Sequence, residues 1–297
     1  MHGKINRGLQ LFLLILAFYP RLISGQSFSD QTITAGISFT HTGGGKEKTH
    51  ILEAHGSGAT FFDADSDGDL DLYFINGSTF SNYGKGDPNN YYQNKNGIYF
   101  DDTKTSGLGD REWGAGVAIA DVNADGNLDV YVSNFGSNVM YFNMGDGIFN
   151  SRISGSEGHD FSASSAFFDY DLDGDLDLFV TNYVNPEIDI ASGEFPPWDP
   201  CIYLGGLRVF CGPVGLPEGE DRFYENDGKG TFTDITIVSG VSEANSSYGL
   251  GVVPADFDSD GDVDLFVAND ERANALWQNN GDGTLSNIAL ASGTAFN

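Results

Sequence analysis

One twelve-residue segment recurs four times along this chain and limits the fold more than any other feature. It reads DADSDGDLDLYF from Asp63, DVNADGNLDVYV from Asp121, DYDLDGDLDLFV from Asp169 and DFDSDGDVDLFV from Asp256. The starts lie 58, 48 and 87 residues apart. A small-residue and apolar stretch precedes each copy (SGATFF, GAGVAIA, SASSAFF, GLGVVPA), and an Asn follows each (Asn76, Asn134, Asn182, Asn269). An aromatic run then enters a Gly/Asn turn: YYQNKNGIYF, MYFNMGDGIF, FYENDGKGTF and LWQNNGDGTL. Self-similarity at this period implies one supersecondary unit per copy, each burying its apolar face against its neighbours.

The compact second copy displays the unit. Residues 114–120, 128–133, 139–143 and 148–153 are short β-type segments bounded by Gly, Asn and Asp turns. Four strands in about 45–50 residues is the size of a propeller blade. A sandwich of similar strands is the rival, though a sandwich does not need the same turn chemistry in every unit. The third copy is longer, and the excess between residues 183 and 221 is rich in Pro and Gly and holds both cysteines, Cys201 and Cys211. It reads as an insertion loop.

The Asp-rich core follows D-x-[DN]-x-D-G-[DN]-x-D, and alternate positions of a tight loop point inward. Candidate metal ligands are Asp63, Asp65, Asp67, Asp69 and Asp71 in the first loop, and Asp121, Asn123, Asp125, Asn127 and Asp129 in the second. The third offers Asp169, Asp171, Asp173, Asp175 and Asp177, and the fourth Asp256, Asp258, Asp260, Asp262 and Asp264. At the seventh position the backbone carbonyl is the expected donor. Gly68, Gly126, Gly174 and Gly261 stand at the sixth position, where the chain must turn sharply. All-oxygen, carboxylate-rich ligation suits Ca²⁺, about four ions in all, better than Mg²⁺ or zinc. An EF-hand needs Glu at its twelfth position, where this chain has Phe74, Val132, Val180 and Val267. Asp-Gly also makes ordinary hairpin turns without metal, but four copies with the same oxygen positions favour an ion.

Charge agrees. The chain holds 43 Asp and Glu against 14 Lys and Arg, a formal net charge of −29. Nucleic acid and anionic membranes are therefore poor partners. Residues 1–25 read as an export signal: Lys4 and Arg7, an apolar run from Leu9 to Tyr19, then Ser24 and Gly25. That run is too short to span a bilayer and no other stretch would do so, so no membrane span is expected once the signal is removed. Two cysteines in an exported chain read as a disulfide. The expected organisation is a signal at 1–25, an N-terminal strand segment at 26–54 and repeat blades at 55–297. Asn76 and Asn245 open glycosylation sequons.

At the four loops and the N-[NDM]-G-D-G-[TI] turns, the chain resembles the FG-GAP/VCBS repeat family of calcium-loop propellers. It is most similar to secreted proteins of the cartilage acidic protein and ASPIC/UnbV type. The segment FSDQTITAGISFTH (Phe28–His41) and the CGP at Cys211 add to that resemblance. It implies an all-β propeller, usually seven-bladed, with Ca²⁺ held between the first two strands of a blade. With about four loops, the expectation is part of such a ring. The functional expectation is a secreted binding or adhesion module for an extracellular protein or glycan, and not an enzyme. The insertion and the loop Gly77–Tyr92 are its candidate contact surfaces. The alternative is a part of a polysaccharide-degrading enzyme. His41, His50, His55 and His159 stand in no catalytic motif and read as surface or turn residues.

Overall fold

A computed structural model of the chain describes residues 28–48, 50–185, 201–241 and 246–296. The expected signal lies outside the described residues. The described residues 28–31 belong to a unit separate from that of the described residues from 32 onward. In the first, Gln31 donates to Ser29 Oγ. The second is all-β and is built of four antiparallel four-stranded sheets.

The first sheet holds β1 (Ala59–Phe62), β2 (Asp71–Phe74), β3 (Asn90–Lys95) and β4 (Ile98–Asp101). The second holds β5 (Trp113–Ala120), β6 (Asp129–Phe135), β7 (Val139–Asn143) and β8 (Phe149–Ser151). In the third, β9 (Ser162–Phe168) and β10 (Asp177–Asn182) precede an insertion carrying the hairpin β11 (Cys201–Tyr203) and β12 (Leu207–Val209). After β13 (Gly219–Glu220) the sheet resumes with β14 (Arg222–Asn226) and β15 (Phe232–Asp234). A short β16 (Ser246–Ser247) pairs with β13 and leads into the fourth sheet. That sheet is β17 (Gly249–Ala255), β18 (Asp264–Asn269), β19 (Ala275–Asn279) and β20 (Leu285–Asn287). Strands pair in chain order in every sheet, so each repeat is one blade. The boundaries expected for the second copy fall within about two residues of the observed ones.

The small residues before each Asp loop have a packing reason. The first strands of successive blades lie side by side. A Cβ at Gly116 would sit 2.8 Å from the carbonyl oxygen of Ala163, and one at Gly114 would sit 2.2 Å from Ile75 Cγ2. Any side chain there would push neighbouring blades apart. Between blades the apolar faces interlock. Phe62, Tyr73 and Ile75 meet Val130, Val132 and Tyr141; Tyr131 and Phe142 meet Leu178 and Tyr224; Phe179 and Phe223 meet Leu265 and Trp277.

In place of the expected N-terminal strand, the described residues 32–48 hold a turn at 32–36 and extended chain without strand pairing. Tyr99 N donates to the Ala35 carbonyl at 2.8 Å, and Phe39 stacks on Phe74 with ring centroids 4.5 Å apart. Ser38 N donates to Tyr92 Oη (3.3 Å), Thr42 N to Asn76 Oδ1 (2.8 Å) and Gly44 N to the Ser78 carbonyl (2.8 Å), so the segment is held on blade 1 by single bonds and an aromatic contact without joining its sheet. Among the described residues no helix is long and apolar enough to cross a membrane.

The Asn that follows each Asp segment closes a repeated clasp. The backbone N–H of Asn76 donates to Asn89 Oδ1 (2.6 Å), that of Asn134 to Asn138 Oδ1 (2.8 Å), and that of Asn269 to Asn274 Oδ1 (3.0 Å). In blade 3 the acceptor is Asp221, at 2.9 Å from Asn182 N. Burial pushes the Asp221 carboxyl up to about 8, against the N–H of Asn182, which favours the charged form. The unfolded chain releases that proton near pH 4, so in between the folded state binds more protons and stability falls as pH rises. Asp221→Asn supplies the amide the other three blades use. It is expected to stabilise the fold and so raise Tm, the gain in stability widening from pH 4 to pH 8 to about 2 kcal/mol. Thermal melts of both proteins across that range check this. Asn76 itself is 1% exposed and donates its amide to Asp87 and Pro88 carbonyls, so its sequon is closed to glycosylation in the fold.

Candidate functional site

The four Asp loops link the first strand of a blade to the second, and all four fold alike. In blade 1, Asp67 N donates to Asp63 Oδ1 (3.1 Å) and Asp65 Oδ1 (3.3 Å), Gly68 N to Asp63 Oδ2 (3.0 Å), and Asp69 N to Asp67 Oδ1 (2.8 Å). The same four bonds recur in blade 2 among Asp121, Asn123, Asp125, Gly126 and Asn127. They recur in blade 3 among Asp169, Asp171, Asp173, Gly174 and Asp175. Blade 4 repeats them among Asp256, Asp258, Asp260, Gly261 and Asp262. Side chains at positions 1, 3 and 5 therefore curl around one point. The glycine at position 6 has φ between 89° and 104° in the four loops. Position 4 is also left-handed, in residues that share no side-chain chemistry suited to that conformation: Ser66, Ala124, Leu172 and Ser259.

Carboxylate oxygens of Asp63, Asp65 and Asp67 all lie within 4.8 Å of one another, as do those of Asp256, Asp258 and Asp260. In blade 3 the convergent set is Asp169, Asp171 and Asp177. In blade 2, Asn123 replaces one carboxylate and leaves the loop less charged. The donors are oxygens in every loop, which fits a hard divalent cation. At position 7 the aspartates turn outward: Asp69 accepts from Asn96 N at 3.0 Å, and the carboxylates of Asp175 and Asp262 lie against Gly228 and Gly281. Asn127 instead stays within its loop and donates to Asp125 Oδ1 at 3.0 Å.

The ninth-position carboxylates do a second task. Asp71, Asp129, Asp177 and Asp264 are all buried. Each accepts from the second residue of its own loop and from an Asn on the third strand. For Asp129 these are Val122 N (3.1 Å) and Asn143 N (2.8 Å); for Asp177, Tyr170 N (3.2 Å) and Asn226 N (2.9 Å). Asp71 uses Ala64 and Asn94, and Asp264 uses Phe257 and Asn279. Burial, partly offset by these N–H donors, raises the Asp71 carboxyl, pushes Asp129 up to about 6 and Asp177 up to about 7.

Those third-strand asparagines tie one blade to the next. Asn143 Nδ2 donates to the Ala64 carbonyl of loop 1 (2.8 Å), Asn226 Nδ2 to Val122 of loop 2 (2.8 Å), and Asn279 Nδ2 to Tyr170 of loop 3 (2.7 Å). Loops 1, 2 and 3 are thereby each held by their own blade's Asp and the following blade's Asn. In the sequence these asparagines are visible only as the start of a turn motif. Their partners lie 79 to 109 positions away, beyond the reach of local pattern.

The family comparison bears on the same loops. A model described as an FG-GAP-like repeat matches residues 63–132, 121–180, 209–267 and 256–297. The chain belongs to the FG-GAP-like repeat family. Its four sheets are FG-GAP propeller blades, each match beginning at or before an Asp loop. Cartilage acidic protein 1 from Xenopus tropicalis and from Homo sapiens are each 35% identical over 77 residues. That match covers 23% of this chain and 12% of either relative. Among solved structures, an Agrocybe aegerita lectin that recognises non-reducing terminal N-acetylglucosamine aligns with 76% of this chain and 49% of its own, at 15% identity and a TM-score of 0.43. A Photorhabdus luminescens Tc holotoxin pore aligns with 78% of this chain and 9% of its own, at 15% identity and a TM-score of 0.32.

The opposite end of the FG-GAP blades, where second strands end and first strands begin, gathers a different chemistry. Trp113, Phe135, Phe161, Tyr183 and Tyr248 form one aromatic cluster there, with Phe80 and Tyr83 packed against it. The loop Gly77–Tyr92 thus serves packing through Phe80 and Tyr83; Tyr83 OH also donates to the Phe135 carbonyl at 2.9 Å. Cys201 and Cys211 are bonded, closing the β11–β12 hairpin as expected. Residues 186–200 of the insertion lie outside the described residues. A cavity of about 240 Å³ opens at this end, lined by residues that include His55, Tyr183, Phe210, Asp270 and Glu271. Of the other histidines, His41 meets Ser57 Oγ, His159 meets Ser137 Oγ, and His50 caps the 3-10 turn Ile51–Ala54. These three match the reading as surface and turn residues; His55 does not.

Proposed function

We propose that this chain is a secreted, non-catalytic binding module whose FG-GAP blades are stiffened by Ca²⁺. The observation that carries the reading is the fourfold repetition of one hydrogen-bonded loop, whose carboxylate oxygens converge at positions 1, 3 and 5 in blades 1 and 4 and at positions 1, 3 and 9 in blade 3. Asp63, Asp65 and Asp67 would hold the ion in blade 1, with the corresponding side chains in the other blades and the position-7 carbonyl completing each set. A bound cation offsets the repulsion among carboxylates crowded at one point. Because loops 1, 2 and 3 are also clasped by the next blade, ordering those loops orders the interfaces between blades. Ca²⁺ is abundant outside cells, the disulfide Cys201–Cys211 fits an oxidising compartment, and the first 25 residues read as an export signal.

Two substitutions separate ligands from neighbours. Asp169→Ala is expected to remove one ion from the total bound, measured by equilibrium dialysis with metal analysis. Asp175→Ala, whose side chain faces Gly228, is expected to leave that total unchanged and weaken affinity less than about threefold.

The binding reading is tested by probing Ca²⁺-saturated full-length chain against arrays of extracellular proteins and glycans, with a chelated control. Selective capture that disappears on chelation supports it. No capture, or turnover of a polysaccharide in the same preparations, would replace it with a spacer or an enzyme.

A further inference from the structure

We infer that the cavity at the end opposite the Asp loops is a receptor for one cationic side chain, lysine or arginine, of a protein partner. The inference rests on the binding-module reading above and names the site and chemistry through which binding occurs.

The cavity is assembled from four separate parts of the chain. Ile51, Ala54 and His55 come from the turn before β1, and Tyr183 from the end of β10. Phe210, Gly212 and Pro213 come from the disulfide-closed insertion, and Asp270 and Glu271 from the turn after β18. Its side-chain polar groups present acceptors. His55 Nδ1 lies 2.9 Å from the Gly56 carbonyl, which can only accept, so the proton sits on Nδ1 and Nε2 presents a lone pair. Burial lowers the His55 pKa, which keeps the ring neutral. Tyr183 spends its hydroxyl proton on Asp270 Oδ2 at 2.7 Å. Two carboxylates, that of the exposed Glu271 among them, and an imidazole lone pair therefore favour a ligand that brings protons and positive charge. The nearby Arg272 does not supply them: it is paired with Glu218 at 2.6 Å and lies over the Tyr248 ring.

Other ligand classes fit less well. A metal ion would need convergent donors, and among the described residues the ligand atoms of His55, Asp270 and Glu271 do not gather within 4.8 Å as the Asp loops do. A sugar ring would need an open aromatic face. Tyr183 is 4% exposed and already packed by Phe161 and Tyr248. What remains is an alkyl stem along Ile51, Ala54, Phe210 and Pro213, ending in a cation at the acceptors. A space of about 240 Å³ is below the usual range for small-molecule pockets and suits one long side chain. The chain's net charge of −29 would steer such a partner inward.

The test titrates Ca²⁺-saturated full-length protein with the peptides acetyl-Gly-Lys-Gly-amide and acetyl-Gly-Arg-Gly-amide, following the His55 ring signals by NMR. Acetyl-Gly-norleucine-Gly-amide and glucosamine are the controls. The expected result is saturable movement of the His55 signals with a Kd of about 1 mM for at least one cationic peptide. The norleucine peptide should bind at least about tenfold more weakly, and Glu271→Gln, an exposed position, should weaken the cationic peptide about three- to tenfold. Equal binding of norleucine, tighter binding of glucosamine, an unchanged Glu271→Gln protein, or no movement of His55 signals would each overturn the inference. Array capture of undiminished affinity in Glu271→Gln would sink this site while leaving the binding module intact. Peptide binding without any array capture would do the reverse.

Discussion

Removing Ca²⁺ with a chelator should lower the melting temperature by on the order of 20 °C, the largest effect expected of any single treatment. The size follows from mass action. A site saturated about a hundredfold above its Kd adds roughly 2.7 kcal/mol, and four such sites act on one folded unit. At about 2–4 °C per kcal/mol for a domain of this size, the sum reaches tens of degrees. The mechanism is structural as well as electrostatic. Without cation, three carboxylates held within 4.8 Å repel one another, in loops whose second residues anchor the next blade. Calorimetry in millimolar Ca²⁺ and in chelator checks this, and Mg²⁺ at equal concentration should restore little of the loss, because it demands a smaller octahedral cage.

The second large effect is expected from the asparagines that join blades. Asn226→Ala would leave the Val122 and Leu176 carbonyls and the Gly230 N–H without their side-chain partners. Buried groups left unsatisfied cost roughly 1–3 kcal/mol each, so a loss of about 3–5 kcal/mol is expected in denaturant unfolding. Asn143→Ala and Asn279→Ala should fall in the same range, since each removes an equivalent bond to Ala64 or Tyr170. Asn94→Ala is the internal control. Its amide bonds only within blade 1, to Leu70, and its oxygen accepts from Gly97, so about 1–2 kcal/mol is expected. Equal losses at all four positions would mean that the bond between blades adds nothing.

Much of this fold can be read from the chain because the information repeats. Strand positions in the compact second copy, the glycine turns, the disulfide and the small residues beside the Asp loops all follow from local chemistry written several times over. What escaped were relations between repeats. Gly114 and Gly116 look merely small until the neighbouring blade is placed against them. Asp71 and its counterparts read as ligands, yet each is also a buried acceptor for its own loop and for the third strand. Position 7 was legible only to the extent of its carbonyl; the outward turn of Asp69, Asp175 and Asp262 depends on the adjoining strand turn. His55 gave no motif at all, because Tyr183 and Asp270, its neighbours in the cavity, are more than a hundred residues downstream.

The most direct test of the account is the number of Ca²⁺ ions bound by the full-length protein at saturation, counted by native mass spectrometry and by metal analysis after dialysis. About four ions are predicted, falling by one in each of Asp63→Ala, Asp121→Ala, Asp169→Ala and Asp256→Ala, since each removes the position-1 carboxylate around which its loop closes. Saturation with no ion, or a total that none of these four substitutions reduces, would contradict the account.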